Sequence, residues 1–283
     1  MTYLSPAKIN LFLHVTSKRD DGYHNLQTIF QLLDYCDEIS INYRSDGAVK
    51  RVSGNEEIVH DQDLLVRSAI ILKTMAGAKG GADIAIVKKI PVGGGLGGGS
   101  SNAATVLIAL NKLWNLNLSK EELMDIGQNI GADIPLFVDG HSSWGEGIGE
   151  ILTPINLPKY FYLIVSIGKQ ITTKEIFTHK ALTMSSVQRK MTDFSMVTNP
   201  HNDCLVAAID LESEIEEVLT HLDSTENHIG IARMTGTGCC VFIAFEKEKD
   251  ALIANNKLPS QWSSFVAKAI DRSPLHNWGV AKW

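Results

Sequence analysis

Hydrophobic and polar positions change their periodicity several times along the chain, and each change predicts a different element. Apolar residues alternate or cluster with β-branched neighbours over Lys8–Val15, Gln27–Leu33 and Glu38–Tyr43, which is typical of strands. Over Asp61–Met75 they recur at helical intervals behind an aspartate, and Ala82–Ile90 returns to a strand pattern. The first part of the chain is therefore predicted to be rich in strands.

A strand, a glycine-rich loop and a helix follow one another near the middle of the chain. Residues 91–101 contain six glycines in seven positions and end in Ser100 and Ser101, which open an apolar helical run to about Trp114. We expect these serines to cap that helix. Because glycine lacks a Cβ, such a loop can close its N–H groups around an anion, and the helix N-terminus adds partial positive charge. The pattern predicts a bound polyphosphate.

Two other phosphate-binding loops fit this segment poorly. A Walker loop requires a lysine before the hydroxyl residue, and Gly99 occupies that place. The dinucleotide spacing Gly-x-Gly-x-x-Gly is present at Gly93, Gly95 and Gly98, but a run so dense in glycine matches it by chance. About 20 positions on, where a dinucleotide fold requires an acidic residue at the end of a strand, Leu118–Glu122 reads as a helix cap.

The rest of the chain mixes strands and helices without strict alternation. We predict a capped helix from Ser119 to Gly131, strands over Tyr160–Ile167, Cys239–Phe245 and Phe265–Ile270, and helices over Thr173–Leu182, Leu211–Leu222 and Glu246–Asn255. This order favours an α+β fold. We place a domain boundary near Pro154–Pro158, which gives units of residues 1–155 and 156–283.

Composition narrows the classes of function. The 283 residues are 44% hydrophobic and carry a net charge of −6 with scattered cationic residues, which disfavours nucleic-acid and membrane surfaces. The four cysteines and nine histidines show neither a disulfide framework nor zinc-site spacing. Because the sequence has no signal peptide and no apolar run of 18 residues, we expect a soluble cytoplasmic protein acting on small molecules. The oligomeric state does not follow from composition.

Three motifs, in order, resemble those of the GHMP kinases, the superfamily of galactose, homoserine, mevalonate and phosphomevalonate kinases. They are PAKINLFL at 6–13, PVGGGLGGGSS at 91–101 and MTGTGCCVF at 234–242, where Thr235 replaces a frequent serine. The resemblance implies ATP as co-substrate, Mg²⁺ and a two-domain α+β fold. The N-terminal domain would resemble the second domain of ribosomal protein S5, and the C-terminal domain would be ferredoxin-like, with the site between them.

Two further segments narrow the resemblance within the superfamily. DDGYHNLQT at 20–28 and GADIPLF at 131–137 are similar to segments of the GHMP kinases that phosphorylate a hydroxyl of a cytidine diphosphate sugar alcohol. That reaction belongs to the nonmevalonate (MEP) route to isoprenoid precursors. Two rivals stay open: another GHMP small-molecule kinase, and a noncatalytic nucleotide-binding protein on the same scaffold.

The resemblance implies catalytic roles for two residues. Asp133 is the candidate to accept the proton of the attacking hydroxyl, although an aspartate at such a place is more often a helix cap or turn residue. Lys8 lies in an apolar strand, where an ammonium group requires a partner, and the resemblance pairs it with Asp133. Asn10 lies on the same strand face as Lys8, since side chains alternate along a strand, and is a candidate to hold the substrate or the aspartate.

Binding roles follow in the same way. The ATP-binding candidates are Pro91, Val92, Gly93, Gly94, Gly95, Leu96, Gly97, Gly98, Gly99, Ser100 and Ser101. Either Ser100 or Ser101 is also a candidate Mg²⁺ ligand. The substrate-binding candidates are Asn10, Tyr23, His24, Lys88, Asp133, Phe177, Gly236, Thr237 and Gly238.

Each substrate-binding candidate has a specific expected contact and an ordinary alternative. Tyr23 and Phe177 are expected to stack on the pyrimidine while His24 bonds its edge; packing or surface roles are the alternatives. Lys88 is expected to meet a substrate phosphate, but charge alone makes Lys89 an equal candidate. Residues 236–238 are expected to form a second nest of backbone N–H groups, or else a simple hairpin turn.

Overall fold

The elements of the protein are given by a computed structural model that describes residues 1–54, 63–184, 188, 190–191 and 201–277. The strands are β1 (Thr2–Lys18), β2 (His24–Arg44), β3 (Val49–Ser53), β4 (Gly81–Val87), β5 (Ser143–Glu146), β6 (Ile151–Pro154), β7 (Phe161–Ser166), β8 (His228–Met234), β9 (Cys240–Phe245) and β10 (Ser263–Ile270). The helices are α1 (Leu64–Ala76), α2 (Gly98–Leu113), α3 (Lys120–Gln128), α4 (Ile134–Asp139), α5 (Thr173–Thr178), α6 (Leu205–Leu211), α7 (Glu214–Asp223) and α8 (Glu248–Asn256), and a short 3-10 helix covers Pro274–Asn277.

One continuous sheet joins both halves of the described chain. Its order is β3-β4-β2-β10-β7-β9-β8, with β1 and β5 also paired to β2 and β6 paired to β5. Strand β2 is the centre, because it pairs with β1, β4, β5 and β10 along its 21 residues. The sequence predicted two separate strands here, over 27–33 and 38–43. They are one strand because each part finds its own neighbours on both sides.

Three hydrophobic clusters hold this sheet to its helices. The first lies under α1–α4 and includes Leu72, Leu107 and Phe137, and the second lies under the later helices and includes Val165 and Leu222. The third cluster packs Ile9 of β1, Leu96 of the glycine loop and Phe242 of β9 together. Since those three residues belong to the three sequence motifs, this shared core brings the motifs to one place.

The predicted α+β class is confirmed, and the errors are local. The helix predicted over Thr173–Leu182 ends at Thr178, and the helix predicted over Leu211–Leu222 begins at Glu214 after a separate α6. Strands β3, β5, β6 and β8 and helix α4 were not predicted. The start of the helix predicted at Asp61 lies outside the described residues, whereas Asp63, within them, caps α1 by accepting a hydrogen bond from the Leu65 N–H.

None of the helices in the described part of the chain is both long enough and apolar enough to cross a membrane.

Candidate active site

The glycine loop links β4 to α2 and forms one wall of a cleft. Gly93, Gly95 and Gly97 have positive φ values of 73°, 75° and 68°, which is left-handed backbone that glycine adopts without strain. Close packing adds a second requirement at Gly95, because a Cβ there would lie 2.2 Å from the Thr235 carbonyl oxygen. The loop is therefore shaped by backbone conformation and by contact with the third motif together.

The predicted serine caps of α2 are wrong. The N-cap residue is Gly97, which has no side chain to cap with, and the helix begins at Gly98, so Ser100 and Ser101 lie inside its first turn. The free N–H groups at this end remain turned toward the cleft, since Gly97, Gly98, Gly99 and Ser100 all line it. An anion in the cleft would thus meet uncapped helix N–H groups.

The two serines have different surroundings. Ser101 is fully buried, and its hydroxyl lies 2.8 Å from the Ser5 hydroxyl. Ser100 is partly exposed and lines the cleft, whereas Ser101 does not. Of the two candidate Mg²⁺ ligands, Ser100 is therefore the one that lines the space where phosphates would lie.

Lys8 and Asp133 meet at the floor of the cleft. The Lys8 Nζ lies 3.5 Å from the Asp133 Oδ2; the lysine side chain is 4% exposed and the aspartate side chain 33%. Asp133 precedes α4 at its N-cap position, yet its side chain makes no capping hydrogen bond. The carboxylate is thus directed to Lys8 and the cleft, and the ordinary role of a cap is not the one it performs.

Lys8 also lies against the phosphate loop. A Cβ at Gly97 would come within 3.0 Å of the Lys8 Cε, and the Lys8 backbone N–H donates to the Leu96 carbonyl at 3.0 Å. Strand β1 presents Lys8 here because its neighbours Ala7 and Ile9 point into the shared core and are fully buried. The ammonium group is therefore placed beside the N-terminus of α2.

A directed chain of hydrogen bonds orients Asn10. The Lys8 ammonium donates to the Asn10 Oδ1 at 2.6 Å, and the Asn10 Nδ2 donates to the Thr28 Oγ1 at 2.8 Å. The Thr28 hydroxyl in turn donates to the Phe12 carbonyl, so its oxygen is left to accept. Because each donor has its acceptor, the amide of Asn10 is fixed with its oxygen toward Lys8.

Lys88 and Lys89, equal by charge in the sequence, are separated by the structure. Lys88 lines the cleft, and a Cβ at Gly98 would lie 2.9 Å from its Nζ. Lys89 instead forms an exposed ion pair with Glu38 at 2.7 Å. The Lys88 ammonium pairs with the fully buried Asp37, whose other oxygen accepts the backbone N–H groups of Lys89 and Ile90. Two ammonium groups, of Lys8 and Lys88, thus flank the N-terminus of α2.

The predicted pyrimidine site is only partly assembled. His24 and Phe177 stack on each other with ring centroids 5.1 Å apart, and Phe177 lines the cleft while also packing against the second core cluster. Burial, and secondarily the charge of Lys18, lowers the pKa of His24, which favours the neutral imidazole with one donor and one acceptor. Tyr23 is 59% exposed in the adjoining turn and is not among the lining residues.

The third motif forms a loop that packs on the first two. Gly236 and Thr237 line the cleft, and Gly236 has the positive φ expected of a backbone nest. Gly238 does not line the cleft: a Cβ there would meet Met234 and Ala208 instead. Of the three residues predicted to form the nest, only Gly236 and Thr237 therefore lie on the cleft wall.

The cleft encloses about 630 Å³ and runs from Arg51 and Asp63, near α1, to Leu26 and Phe177. Glycine backbone, a helix N-terminus and two ammonium groups line its middle. This arrangement suits a polyphosphate, and the Lys8–Asp133 pair beside it suits proton transfer at a hydroxyl. No group of three or more His, Cys, Asp or Glu side chains able to hold a metal occurs among the described residues.

Several site residues were missed by the sequence analysis. Asp37 is a fully buried carboxylate within a strand, Thr28 orients Asn10, and the side chain of Asn202 braces the third-motif loop. Asp37 could have been found from the sequence, because it is a charged residue inside an apolar strand pattern. Nothing in the local pattern around Asn202 indicated its contacts with the loop, because the Met234 and Gly236 carbonyls that its amide meets lie 32 and 34 residues away.

Comparisons with known proteins agree with this geometry. The family model "GHMP kinases N terminal domain" matches residues 63–141. The chain is 57% identical over 281 residues to a 4-diphosphocytidyl-2-C-methyl-D-erythritol kinase of Ruthia magnifica subsp. Calyptogena magnifica, covering 99% of each chain. It is 44% identical to one of Cupriavidus metallidurans, covering 96% of this chain and 93% of the relative.

Solved structures give the same picture at lower identity. A crystal structure of 4-(cytidine 5'-diphospho)-2C-methyl-D-erythritol kinase is similar with a TM-score of 0.78 at 29% identity, covering 95% of this chain and 99% of the other. A homoserine kinase from Cytophaga hutchinsonii has a TM-score of 0.70 at 15% identity, covering 97% and 96%. The second likeness shows the fold alone.

Proposed function

Because this chain belongs to the family of 4-diphosphocytidyl-2-C-methyl-D-erythritol kinases, within the GHMP kinases, we propose that it transfers the γ-phosphoryl group of ATP to a hydroxyl of that cytidylated sugar alcohol. The products are the 2-phosphate and ADP. The protein is an ATP-dependent small-molecule kinase of the MEP pathway to isoprenoid precursors. The observation that carries the residue assignments is the Lys8–Asp133 pair beside the uncapped N-terminus of α2.

In the proposed reaction, the acceptor hydroxyl oxygen attacks the γ-phosphorus. The new O–P bond forms as the bond between that phosphorus and the β,γ-bridging oxygen breaks, and the electron pair of the broken bond leaves with ADP. The hydroxyl proton goes to the Asp133 carboxylate. Lys8 stabilises the developing negative charge on the acceptor oxygen, and Asn10, fixed by Thr28, keeps the ammonium group in place.

The phosphates are held by the loop and the two flanking cations. Backbone N–H groups of residues 93–99 and the N-terminus of α2 bind the polyphosphate, and Lys88 neutralises part of its charge. The residues present also fit Mg²⁺, which takes phosphate oxygens, water and one or two protein ligands; Ser100 on the cleft wall is the candidate protein ligand. Bound there, Mg²⁺ would neutralise charge on the β- and γ-phosphates.

The acceptor's cytidine end is assigned to the region around His24 and Phe177. The neutral His24 imidazole can bond the pyrimidine edge, and Phe177 with Tyr23 supplies ring faces for stacking. In this proposal the exposed Tyr23 ring moves onto the base when the acceptor binds. Gly236 and Thr237 offer backbone N–H groups to the acceptor's diphosphate.

The wider expectations stay part of the proposal. We keep the domain division at residues 1–155 and 156–283, supported by the separate core clusters under the early and the later helices. We also keep the cytoplasm as the place of action, supported by the use of ATP as co-substrate.

A coupled ADP-release assay with three acceptors tests this function. We expect turnover with the cytidylated sugar alcohol and, at most, trace turnover with mevalonate or homoserine. Preference for a non-cytidylated acceptor would favour another GHMP kinase, and absence of turnover with all three would favour a noncatalytic nucleotide-binding protein. Isothermal titration with CDP separates the first two outcomes again, since only a cytidine site binds it.

A further inference from the structure

We propose that Thr235 is a positioning residue whose hydroxyl sets the distance between the strand that carries the reaction centre and the loop that holds the phosphates. The inference rests on the proposed function. It assigns a role in phosphoryl transfer to a side chain that would touch neither substrate.

The Thr235 hydroxyl bridges two separate parts of the site. It accepts the backbone N–H of Asn10 at 2.9 Å and donates its single proton to the Gly95 carbonyl at 3.3 Å. Asn10 and Thr235 are 225 residues apart in the chain. One fully buried hydroxyl therefore joins the strand bearing Lys8 and Asn10, the phosphate loop and the third motif.

Thr235 does not line the cleft, so its influence passes through its neighbours. Gly236 and Thr237, which adjoin it, line the cleft, whereas the Thr235 hydroxyl is bonded to β1 and to the loop. Gly95 lacks a Cβ at the point of closest approach, where one would meet the Thr235 carbonyl oxygen at 2.2 Å. The two segments are thus packed backbone against backbone, with the hydroxyl as the polar link.

The position of Thr235 is itself fixed from both sides. Its backbone N–H donates to the Cys240 carbonyl at 3.0 Å, and its carbonyl accepts the Gly238 N–H at 3.1 Å. The Asn202 side chain donates to the carbonyl oxygens of Met234 and Gly236, at 3.0 and 2.8 Å. Because the loop is braced in this way, strand β1 and the phosphate loop take their positions from it.

Loss of the hydroxyl would shift strand β1, which carries Lys8 and Asn10, relative to the phosphate loop. The strand and the loop would each keep their own structure. A second bond, from the Lys8 N–H to the Leu96 carbonyl, still joins strand and loop, so the strand would shift but stay attached. Valine has the shape of threonine but leaves the Asn10 N–H and the Gly95 carbonyl without this partner. In-line transfer requires the reacting atoms about 3–3.5 Å apart, and misplacement of about 1 Å costs roughly 10²-fold in rate.

The test compares Thr235→Val with Thr235→Ser, using Thr225→Val as a matched control. The Thr225 hydroxyl donates to the Leu222 carbonyl, and neither residue lines the cleft. We expect Thr235→Val to lower kcat by ~10–100-fold with the KM values for ATP and acceptor nearly unchanged. Thr235→Ser should restore most of the rate, and Thr225→Val should match the wild type.

Three outcomes would overturn the proposal. They are a wild-type kcat in Thr235→Val, a decrease in kcat in Thr235→Ser as large as in Thr235→Val, and an increase in KM in Thr235→Val with kcat unchanged. If Thr235→Val does not fold, Thr235→Cys carries the test. Its weak thiol donor and acceptor should give a kcat between those of the Ser variant and inactive enzyme. A wild-type kcat in Thr235→Cys would then contradict the proposal.

Hydrogen exchange of the backbone N–H of Asn10, followed by NMR, tests this proposal independently of the proposed function. We expect slow exchange in the wild type and Thr235→Ser, and faster exchange in Thr235→Val, whichever acceptor the enzyme uses. Equal exchange in all three proteins would overturn the bridge itself. Normal exchange differences without any turnover of the cytidylated acceptor would instead leave the bridge intact and reject the proposed function.

Discussion

The two ends of the cleft are built in different ways. The proposed phosphate end consists mainly of backbone: the positive-φ glycines of residues 93–97 and the uncapped N-terminus of α2. The proposed acceptor end is formed by side chains from distant segments: Phe177 of α5 lines the cleft, and His24 of β2, which does not line it, stacks on the Phe177 ring. The phosphate end should therefore be damaged by adding atoms, and the acceptor end by removing them.

The Lys8–Asp133 pair is distinct from both ends. Lys8 is held against the loop at Gly97, and Asp133 belongs to the turn before α4. A substitution here should affect the chemical step and neither binding end.

Asp133→Asn should lower kcat by ~10²-fold or more, because the amide cannot accept the hydroxyl proton. The KM for ATP should change little, since the loop does not depend on this side chain. Steady-state kinetics on the purified variant give both values. Asp125→Asn, an exposed aspartate on α3, is the matched control and should behave as the wild type. A kcat within threefold of wild type for Asp133→Asn would remove Asp133 from the mechanism.

Gly95→Ala should weaken ATP binding by about tenfold or more. The left-handed φ alone costs an alanine roughly 1–2 kcal/mol, and the new Cβ would collide with the Thr235 carbonyl oxygen. Gly77→Ala is the matched control, because Gly77 has a φ of 64° but lies outside the cleft and has nothing within 4 Å of its Cβ position. Calorimetry with ATP should show normal affinity in Gly77→Ala. Equal affinities in the two variants would mean that the loop does not bind phosphate through its backbone.

Tyr23→Ala and Phe177→Ala should each raise the KM for the cytidylated acceptor about tenfold, because one stacked ring is worth ~1–3 kcal/mol. The KM for ATP should stay at the wild-type value. Tyr43→Ala is the control for the tyrosine, since Tyr43 is 57% exposed against 59% for Tyr23 but lies at the opposite end of β2. An unchanged acceptor KM in both variants would place the cytidine elsewhere.

Ser100→Ala should change the Mg²⁺ dependence of the rate, whereas Ser101→Ala should change the stability of the protein. Ser100 faces the cleft, so its loss should raise the Mg²⁺ concentration needed for half-maximal rate by a few-fold. Ser101 is bonded to Ser5 in the interior, so its loss should lower the free energy of unfolding by about 1 kcal/mol and leave the Mg²⁺ dependence unchanged. A Mg²⁺ titration and thermal melts of both variants check this, and a reversal of the two signatures would assign the ligand to Ser101.

The sequence revealed the two ends unequally, for a physical reason. The phosphate loop is a local structure, so the glycines of residues 93–99 predict its conformation and its ligand without knowledge of the fold. The serine caps were predicted wrongly because Gly97, in a left-handed conformation, starts the helix three residues earlier. Local patterns thus predicted the conformation of the loop better than the start of the helix that follows it.

The supporting contacts could not be read from the sequence. Asp37 holds Lys88 from 51 residues away, and the Asn10 N–H meets the Thr235 hydroxyl across 225 residues. Such contacts depend on the pairing of β1 with β2 and on the shared core under the loop. The family motifs indicated which segments meet, while the hydrogen bonds that align them required the fold.

A crystal structure with a nonhydrolysable ATP analogue and the cytidylated acceptor tests the central claim most directly. We predict that the triphosphate lies along the backbone N–H groups of residues 93–99. We also predict that the reacting hydroxyl lies about 2.6–3.2 Å from the Asp133 carboxylate, with the Lys8 ammonium beside it. A complex in which the hydroxyl lies away from both side chains, or in which the triphosphate avoids the glycine loop, would contradict the account.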